Sequence, residues 1–151
     1  MLDFAIKSCQ SKVGFKNKIL SKIRPKKHSY FGLRDNNNVR YLNMLRMNLS
    51  PLRAHKNKYN FLDTPHAQCL VCGCEEDTDH FLLHCISYRL ARATMFENIS
   101  LIINVQLLTL PMRRVRFILL YGKDDISDDK NLLILKEVTK FITKSKRFDT
   151  I

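Results

Sequence analysis

The stretch CLVCGCEEDTDHFLLHC, residues 69–85, carries four of the chain's five cysteines and two of its five histidines. Among them lie Glu75, Glu76, Asp77 and Asp79 and the apolar triplet Phe81, Leu82 and Leu83. This pattern suits neither a plain loop nor a plain amphipathic helix, so something must hold it together. An odd number of cysteines with a Cys-x-x-Cys and a nearby histidine points to metal ligands rather than disulfides. Cys69-Leu70-Val71-Cys72 sets two thiolates on one tight turn, with Gly73 as the permissive residue after it. His80 and Cys85 supply the second pair. Asp77 or Thr78 can cap a short helix that holds His80 in its first turn, with Cys85 a little more than one turn further on. The order Cys-x2-Cys-x7-His-x4-Cys closes a tetrahedral zinc site with no ligand position left open, which makes it structural. Such a site can contribute on the order of 10 kcal/mol to folding a segment without a core of its own. Cys74, only two residues from Cys72, His84, adjacent to Cys85, and His66, on the far side of Pro65, are the poorer, alternative ligands.

Charge supplies the second constraint. The net charge is +12, and all the excess lies in the first part of the chain: residues 1–60 hold 14 Lys/Arg against Asp3 and Asp35, whereas residues 61–151 hold 12 against 12. Tyr30, Phe31, Tyr41 and Tyr59 are interleaved with these cations. A polyanion is the natural partner of such a field, because neutralised phosphates release condensed counterions. The amino terminus MLDFAIKSCQSK has no continuous apolar segment, and the apolar run 101–110 is interrupted by Asn104, Gln106 and Thr109. Neither spans a membrane or directs secretion, and the expected location is intracellular, in cytoplasm or nucleus.

The fold expected is mainly α: short helices around a small Cys-Cys-His-Cys zinc knuckle, with room for a minor β-hairpin. Length and a hydrophobic content of 45% allow one globular domain with appendages. A basic helix over 15–23 stops near Arg24-Pro25, and Asn36-Asn37-Asn38 marks a turn. Leu42, Leu45, Leu49 and Leu52 form one helical stripe, in which Ser50-Pro51 reads as the N-cap and first position of a new helix. Ser87 can cap a helix with the apolar face Tyr88, Ala91, Met95, Ile99 and Ile102. Two more helices run from Pro111 to Tyr121, ending at Gly122, and from Ser127 onward. In the last, Ile134, Val138, Phe141 and Ile142 face a core and Lys136, Lys140 and Lys144 face solvent. The organisation is a basic connector over 1–35, a zinc-knuckle helical domain over 36–103 and a carboxy-terminal helical pair over 104–151.

The run YLNMLRMNLSPLRAHKNKYNFLDTPHAQCLVCGCEEDTDHFLLHCISYRLARATMF resembles the zinc-binding region that follows the polymerase domain in reverse transcriptases of non-long-terminal-repeat, LINE-type retrotransposons. The features carrying the resemblance are Leu45-Arg46, His55-Lys56, Cys69 and Cys72, Glu76 to His80, Cys85, Tyr88 and Arg92. The flanks ILSKIRPKKHSYFGLRD and LLYGKDDISDDKNLLILKEVTKFITKSKRF are similar to the ends of that region, so the resemblance covers nearly the whole chain. One departure is Cys85-Ile86-Ser87, where relatives usually place a proline after the last cysteine. The resemblance implies the carboxy-terminal piece of a retrotransposon polyprotein that helps hold template RNA or target DNA, with the parent's polymerase domain as a further partner.

The residues themselves offer no chemistry of catalysis. Polymerisation needs strand-borne carboxylates for two metal ions, and Tyr121-Gly122-Lys123-Asp124-Asp125 reads instead as a loop between helices. No glycine-rich phosphate loop is present, and no small-molecule substrate is implied. Two readings follow. In one the chain is a nucleic-acid-binding module, with Arg46, Arg53, Lys56 and Lys58 on phosphates and His55 or Tyr59 available to stack on an unpaired base. In the other it is a structural or protein-interaction zinc domain, such as a relic of a retroelement.

Overall fold

Leu42 and Leu45 are both buried on one side of a helix that the chain ends two residues later, and this early stop shapes the approach to the cysteines. The computed structural model describes residues 37–149, which are mainly α-helical and contain no strand. The helix predicted over 15–23 and the connector over 1–35 lie outside the described residues. The order is α1 (Asn37–Met47), α2 (Arg53–Lys58), the cysteine loop, a π-helical turn (His80–His84), a 3-10 turn (Ile86–Tyr88), α3 (Arg89–Ile103), a second 3-10 turn (Leu107–Thr109), α4 (Met112–Tyr121) and α5 (Asp128–Ser145). The hairpin for which the sequence left room is a single antiparallel bridge between Gln68 and Glu75. Among the described residues, no helix is long and apolar enough to cross a membrane.

Several boundaries differ from the sequence reading, each for a physical reason. Asn37 and Asn38, expected in a turn, begin α1, and asparagine suits a helix start as well as a turn. The leucine stripe is not continuous. Asn48 turns left-handed at φ 54, its N–H donates to the Leu45 carbonyl at 3.3 Å, and the Leu49 N–H donates to the Met44 carbonyl at 2.9 Å. This pair of bonds is a Schellman stop, and it swings Leu49 into solvent while Leu52 returns to the core. Ser50 does not cap α2. Its hydroxyl is buried and shares a 2.7 Å hydrogen bond with His55 Nδ1, while Leu52 occupies the cap position without a side-chain bond. The capping group comes from elsewhere: Glu76 Oε2 accepts the Arg53 N–H at 2.9 Å and the Glu76 carbonyl accepts the Ala54 N–H at 3.2 Å. Ser87 likewise lies in the 3-10 turn rather than at the cap of α3, whose cap position is Tyr88.

The carboxy-terminal half follows the pattern more closely. Gly122 ends α4 at φ 83, and the Ser127 hydroxyl accepts the Lys130 N–H at the start of α5. Gly122 to Asp125 lie in the turn between them, tied by Asn131, whose side chain accepts the Lys123 N–H at 2.8 Å and donates to the Lys123 carbonyl at 2.9 Å. Ile134, Val138, Phe141 and Ile142 are buried, and Lys136, Lys140 and Lys144 are exposed. On α3 the buried face is Met95, Phe96, Ile99 and Ile103, with Tyr88, Ala91 and Ile102 partly covered.

The helix α5 packs against α1, α3 and α4. One hydrophobic core runs from Leu42 through Phe81 to Phe148 and takes residues from both sides of the predicted 103/104 boundary. Phe81 is its hinge to the cysteine loop, with ring centroids 5.2 Å from Phe141, 5.3 Å from Phe148 and 5.3 Å from Tyr88. Burying a side chain of this size is worth about 1.5–3 kcal/mol, so the triplet Phe81, Leu82 and Leu83, all buried, anchors the ligand segment to the helices.

Candidate metal centre

The knuckle is built by its backbone. Cys69 donates its N–H to the Cys74 carbonyl at 2.7 Å, Gly73 donates to the Cys69 carbonyl at 2.9 Å, and Glu76 donates to the Ala67 carbonyl at 2.8 Å. Gly73 turns at φ 69 with open space around it, the left-handed residue that this reversal requires. The reversal leaves Leu70 and Val71 exposed at its tip and directs Cys69 and Cys72 inward.

The other two ligands come from a turn that is wider than an ordinary helix. The Asp77 carboxylate accepts the His80 N–H at 2.8 Å, as the predicted cap would. Five residues on, the Cys85 N–H donates to the His80 carbonyl at 2.7 Å, a π-type bond. The extra residue in the turn brings the His80 and Cys85 side chains toward the knuckle while Phe81, Leu82 and Leu83 enter the core. Thr78, also buried, donates its hydroxyl to the Leu45 carbonyl at 3.1 Å and fixes this segment to the end of α1.

The result is a cluster of Cys69, Cys72, His80 and Cys85 whose ligand atoms all lie within 4.8 Å of one another, an arrangement that could hold a metal ion. Cys69 Sγ and Cys72 Sγ lie 4.0 and 3.9 Å from Cys85 Sγ, and none of the three is in a disulfide. A tetrahedral ion at about 2.3 Å from each sulfur needs sulfurs about 3.8 Å apart, so the donors present fit the group. Cys74, His84 and His66 lie outside the cluster.

Hydrogen-bond donors face the sulfurs, while burial opposes their charge. The Ile86 N–H points at Cys72 Sγ at 3.5 Å, and Ser87 hydrogen-bonds Cys85. Burial pushes the Cys85 thiol up to about 12, opposed by Ser87 and reinforced by the Cys69 and Cys72 sulfurs. A coordinated cation reverses that preference, because a thiol bound to a metal is deprotonated outright. Arg92 donates to the Cys85 carbonyl at 2.9 Å; burial lowers its pKa, and the Cys85 and Cys72 sulfurs act to raise it. Three thiolates and a neutral imidazole around a divalent ion would leave a single negative charge, which this guanidinium would complement.

The cluster is fastened to the rest of the fold by Glu76. Arg147 holds its carboxylate in a fork, Nε to Oε1 at 2.8 Å and one terminal nitrogen to Oε2 at 2.7 Å, and also reaches the Pro51 carbonyl. Burial disfavours the carboxylate's charge, but Arg147 and the Arg53 N–H more than offset it, so the Glu76 pKa falls below its ordinary value. Nothing local in the sequence marks Arg147 as the partner of Glu76, since the pair is closed only by the packing of α5.

The six residues predicted to touch nucleic acid differ in exposure and in partners. Arg46 turns inward: it donates to the Leu120 carbonyl at 2.6 Å and to Asn43, with Tyr121 beneath its guanidinium. His55 is buried against Ser50, and burial lowers its pKa, so it has no face for stacking. Arg53 is half-buried at the start of α2. Lys56 pairs with Asp63, and Lys58 and Tyr59 are exposed side by side. Arg46 and His55 thus make internal contacts that the sequence did not reveal, Arg46 with the Leu120 carbonyl of another helix and His55 with the Ser50 hydroxyl. Phe61 and Leu62, an aromatic and a leucine directly after a basic helix, are both exposed beside Tyr59.

Comparison of the chain with models of known protein families, with curated proteins and with solved structures finds no match.

Proposed function

We propose that this chain is a zinc-binding, nucleic-acid-binding module, without catalytic residues of its own, that acts as the carboxy-terminal part of a LINE-type reverse transcriptase and holds RNA template or target DNA. The observation carrying this reading is the convergence of Cys69, Cys72, His80 and Cys85 in a chain whose whole excess of positive charge precedes residue 61. Three thiolates with one imidazole, and no further donor in the cluster among the described residues, favour zinc over harder cations, which take oxygen ligands. Zinc here would be structural, fixing the loop that links α2 to α3. The exposed end of α2 supplies phosphate-binding cations, while Arg46 and His55 hold the scaffold in shape.

The test is a titration of the zinc-loaded protein against single-stranded RNA, hairpin RNA and duplex DNA over a range of salt. With about four to six phosphates engaged, log K against log salt should fall with a slope of about −3 to −5. Lys56→Ala with Lys58→Ala should make that slope shallower by about one to two units, whereas Lys140→Ala with Lys144→Ala should change little. A flat salt dependence would contradict the reading. It would favour a protein-interaction domain, for which the open cleft of ≈ 770 Å³ between Phe96, Leu101, Leu108 and Met112 is the supporting observation.

A further inference from the structure

The loop that leaves α2 presents two aromatic rings to solvent on a backbone that is tied down. Tyr59 and Phe61 are about half exposed, at 52% and 54%, and Leu62 beside them is fully exposed. Aromatic side chains of this size are ordinarily covered, and here the intervening Asn60 turns left-handed at φ 57 to keep both out. The turn is a second Schellman stop: the Asn60 N–H donates to the Asn57 carbonyl at 3.0 Å and the Phe61 N–H to the Lys56 carbonyl at 3.1 Å. The far end is tied by Asn57, whose side chain donates to the Thr64 and Pro65 carbonyls at 3.3 and 3.1 Å, and by Thr64, which is buried. The rings are therefore held out by a closed set of hydrogen bonds.

Each ring carries a cation on one side. Lys58 Nζ lies 5.5 Å from the Tyr59 centroid and Lys56 Nζ lies 5.6 Å from the Phe61 centroid. A ring with an ammonium group beside it and an open face offers a stacking surface for a base together with a charge for the phosphate next to it. The geometry points to the Tyr59–Phe61 loop as a site for unpaired nucleotides, each ring stacking on a base while Lys58, and Lys56 on exchanging Asp63 for a phosphate, take the adjoining phosphates. A paired duplex keeps its base faces covered and engages only the lysines. This inference rests on the nucleic-acid reading above and narrows its partner to single strands.

The test uses the full zinc-loaded chain with short oligouridine and with a duplex of the same length. Tyr59→Ala and Phe61→Ala should each lower oligouridine affinity about fivefold or more, with the duplex affected less than about twofold. Tyr59→Leu, apolar but without a ring, should lose as much as Tyr59→Ala, and Tyr59→Phe should retain binding. The chain contains no tryptophan, so Phe61→Trp provides a single reporter whose fluorescence should be quenched by oligouridine and not by duplex. Unchanged circular dichroism in the alanine variants ties the losses to the rings. If the parent binds both nucleic acids with the expected salt slope but the ring variants bind oligouridine normally, this inference falls while the broader reading stands. Equal losses on single strands and duplex, or retention by Tyr59→Leu, would also overturn it. Absence of any binding by the parent overturns both.

Discussion

Arg147 and Glu76 form a forked ion pair across 71 positions of the chain, with contacts of 2.8 and 2.7 Å. The same Glu76 carboxylate caps α2, and the Glu76 carbonyl accepts from Ala54, so one residue joins the cysteine loop, the short helix and the carboxy-terminal segment. Its side chain is 6% exposed and that of Arg147 is 21% exposed. Removing the cation leaves a buried carboxylate with only backbone donors. Arg147→Met should therefore destabilise the protein by about 3 kcal/mol, read from the urea midpoint. Glu76→Gln with Arg147→Met should cost less than the sum of the two single changes, because the second change removes the charge that the first left unpaired.

Acid should weaken the fold in two stages. His55 and Glu76 both have pKa values lowered by folding, from 6.5 and 4.5 respectively, so each binds protons more readily when unfolded. Stability from such groups is intact above the unfolded value and is lost as pH falls toward the folded one. The His55 contribution should begin to disappear below about pH 6.5 and that of Glu76 below about pH 4.5. Urea unfolding of the metal-loaded protein at stepped pH values checks this. His55→Gln should show a shallower decline between about pH 6.5 and 5 than the parent, since the metal's own acid lability is common to both. Identical declines would remove His55 from the account.

Arg92 should tune the metal centre without supplying a ligand. Its hydrogen bond to the Cys85 carbonyl and its position near the thiolates predict that Arg92→Met lowers zinc affinity by about 10- to 100-fold. Competition with a chromogenic chelator measures the loss, and stoichiometry at saturating zinc should stay at one ion per chain. A change in stoichiometry would mean that the substitution unfolds the site.

The cysteine–histidine cluster was legible because it is local: two cysteines on one knuckle and a histidine and cysteine a turn apart carry their geometry in their spacing. The same is true of Gly122 and Ser127, where a left-handed glycine and a hydroxyl N-cap mark the break between α4 and α5. Local spacing also misled. Leu42, Leu45, Leu49 and Leu52 look like one stripe, yet Asn48 ends the helix between the second and third. Asparagines at the left-handed position after a helix close α1, α2 and α3, at Asn48, Asn60 and Asn104, and that recurring sign lay in the sequence. Ser50 reads as a cap because serine before proline usually is one. A remote carboxylate, Glu76, took that role, leaving Ser50 to His55. The inward turn of Arg46 has the same origin, since its acceptor is the carbonyl of Leu120 at the end of another helix.

The central claim is that Cys69, Cys72, His80 and Cys85 together hold one zinc ion. Metal analysis of the purified parent, Cys85→Ser and Cys74→Ser proteins tests it most directly. The parent and Cys74→Ser should each carry one equivalent of zinc, and Cys85→Ser should lose the metal together with helicity from the π turn through α3. A full equivalent of zinc in Cys85→Ser, or none in the parent, would contradict the assignment.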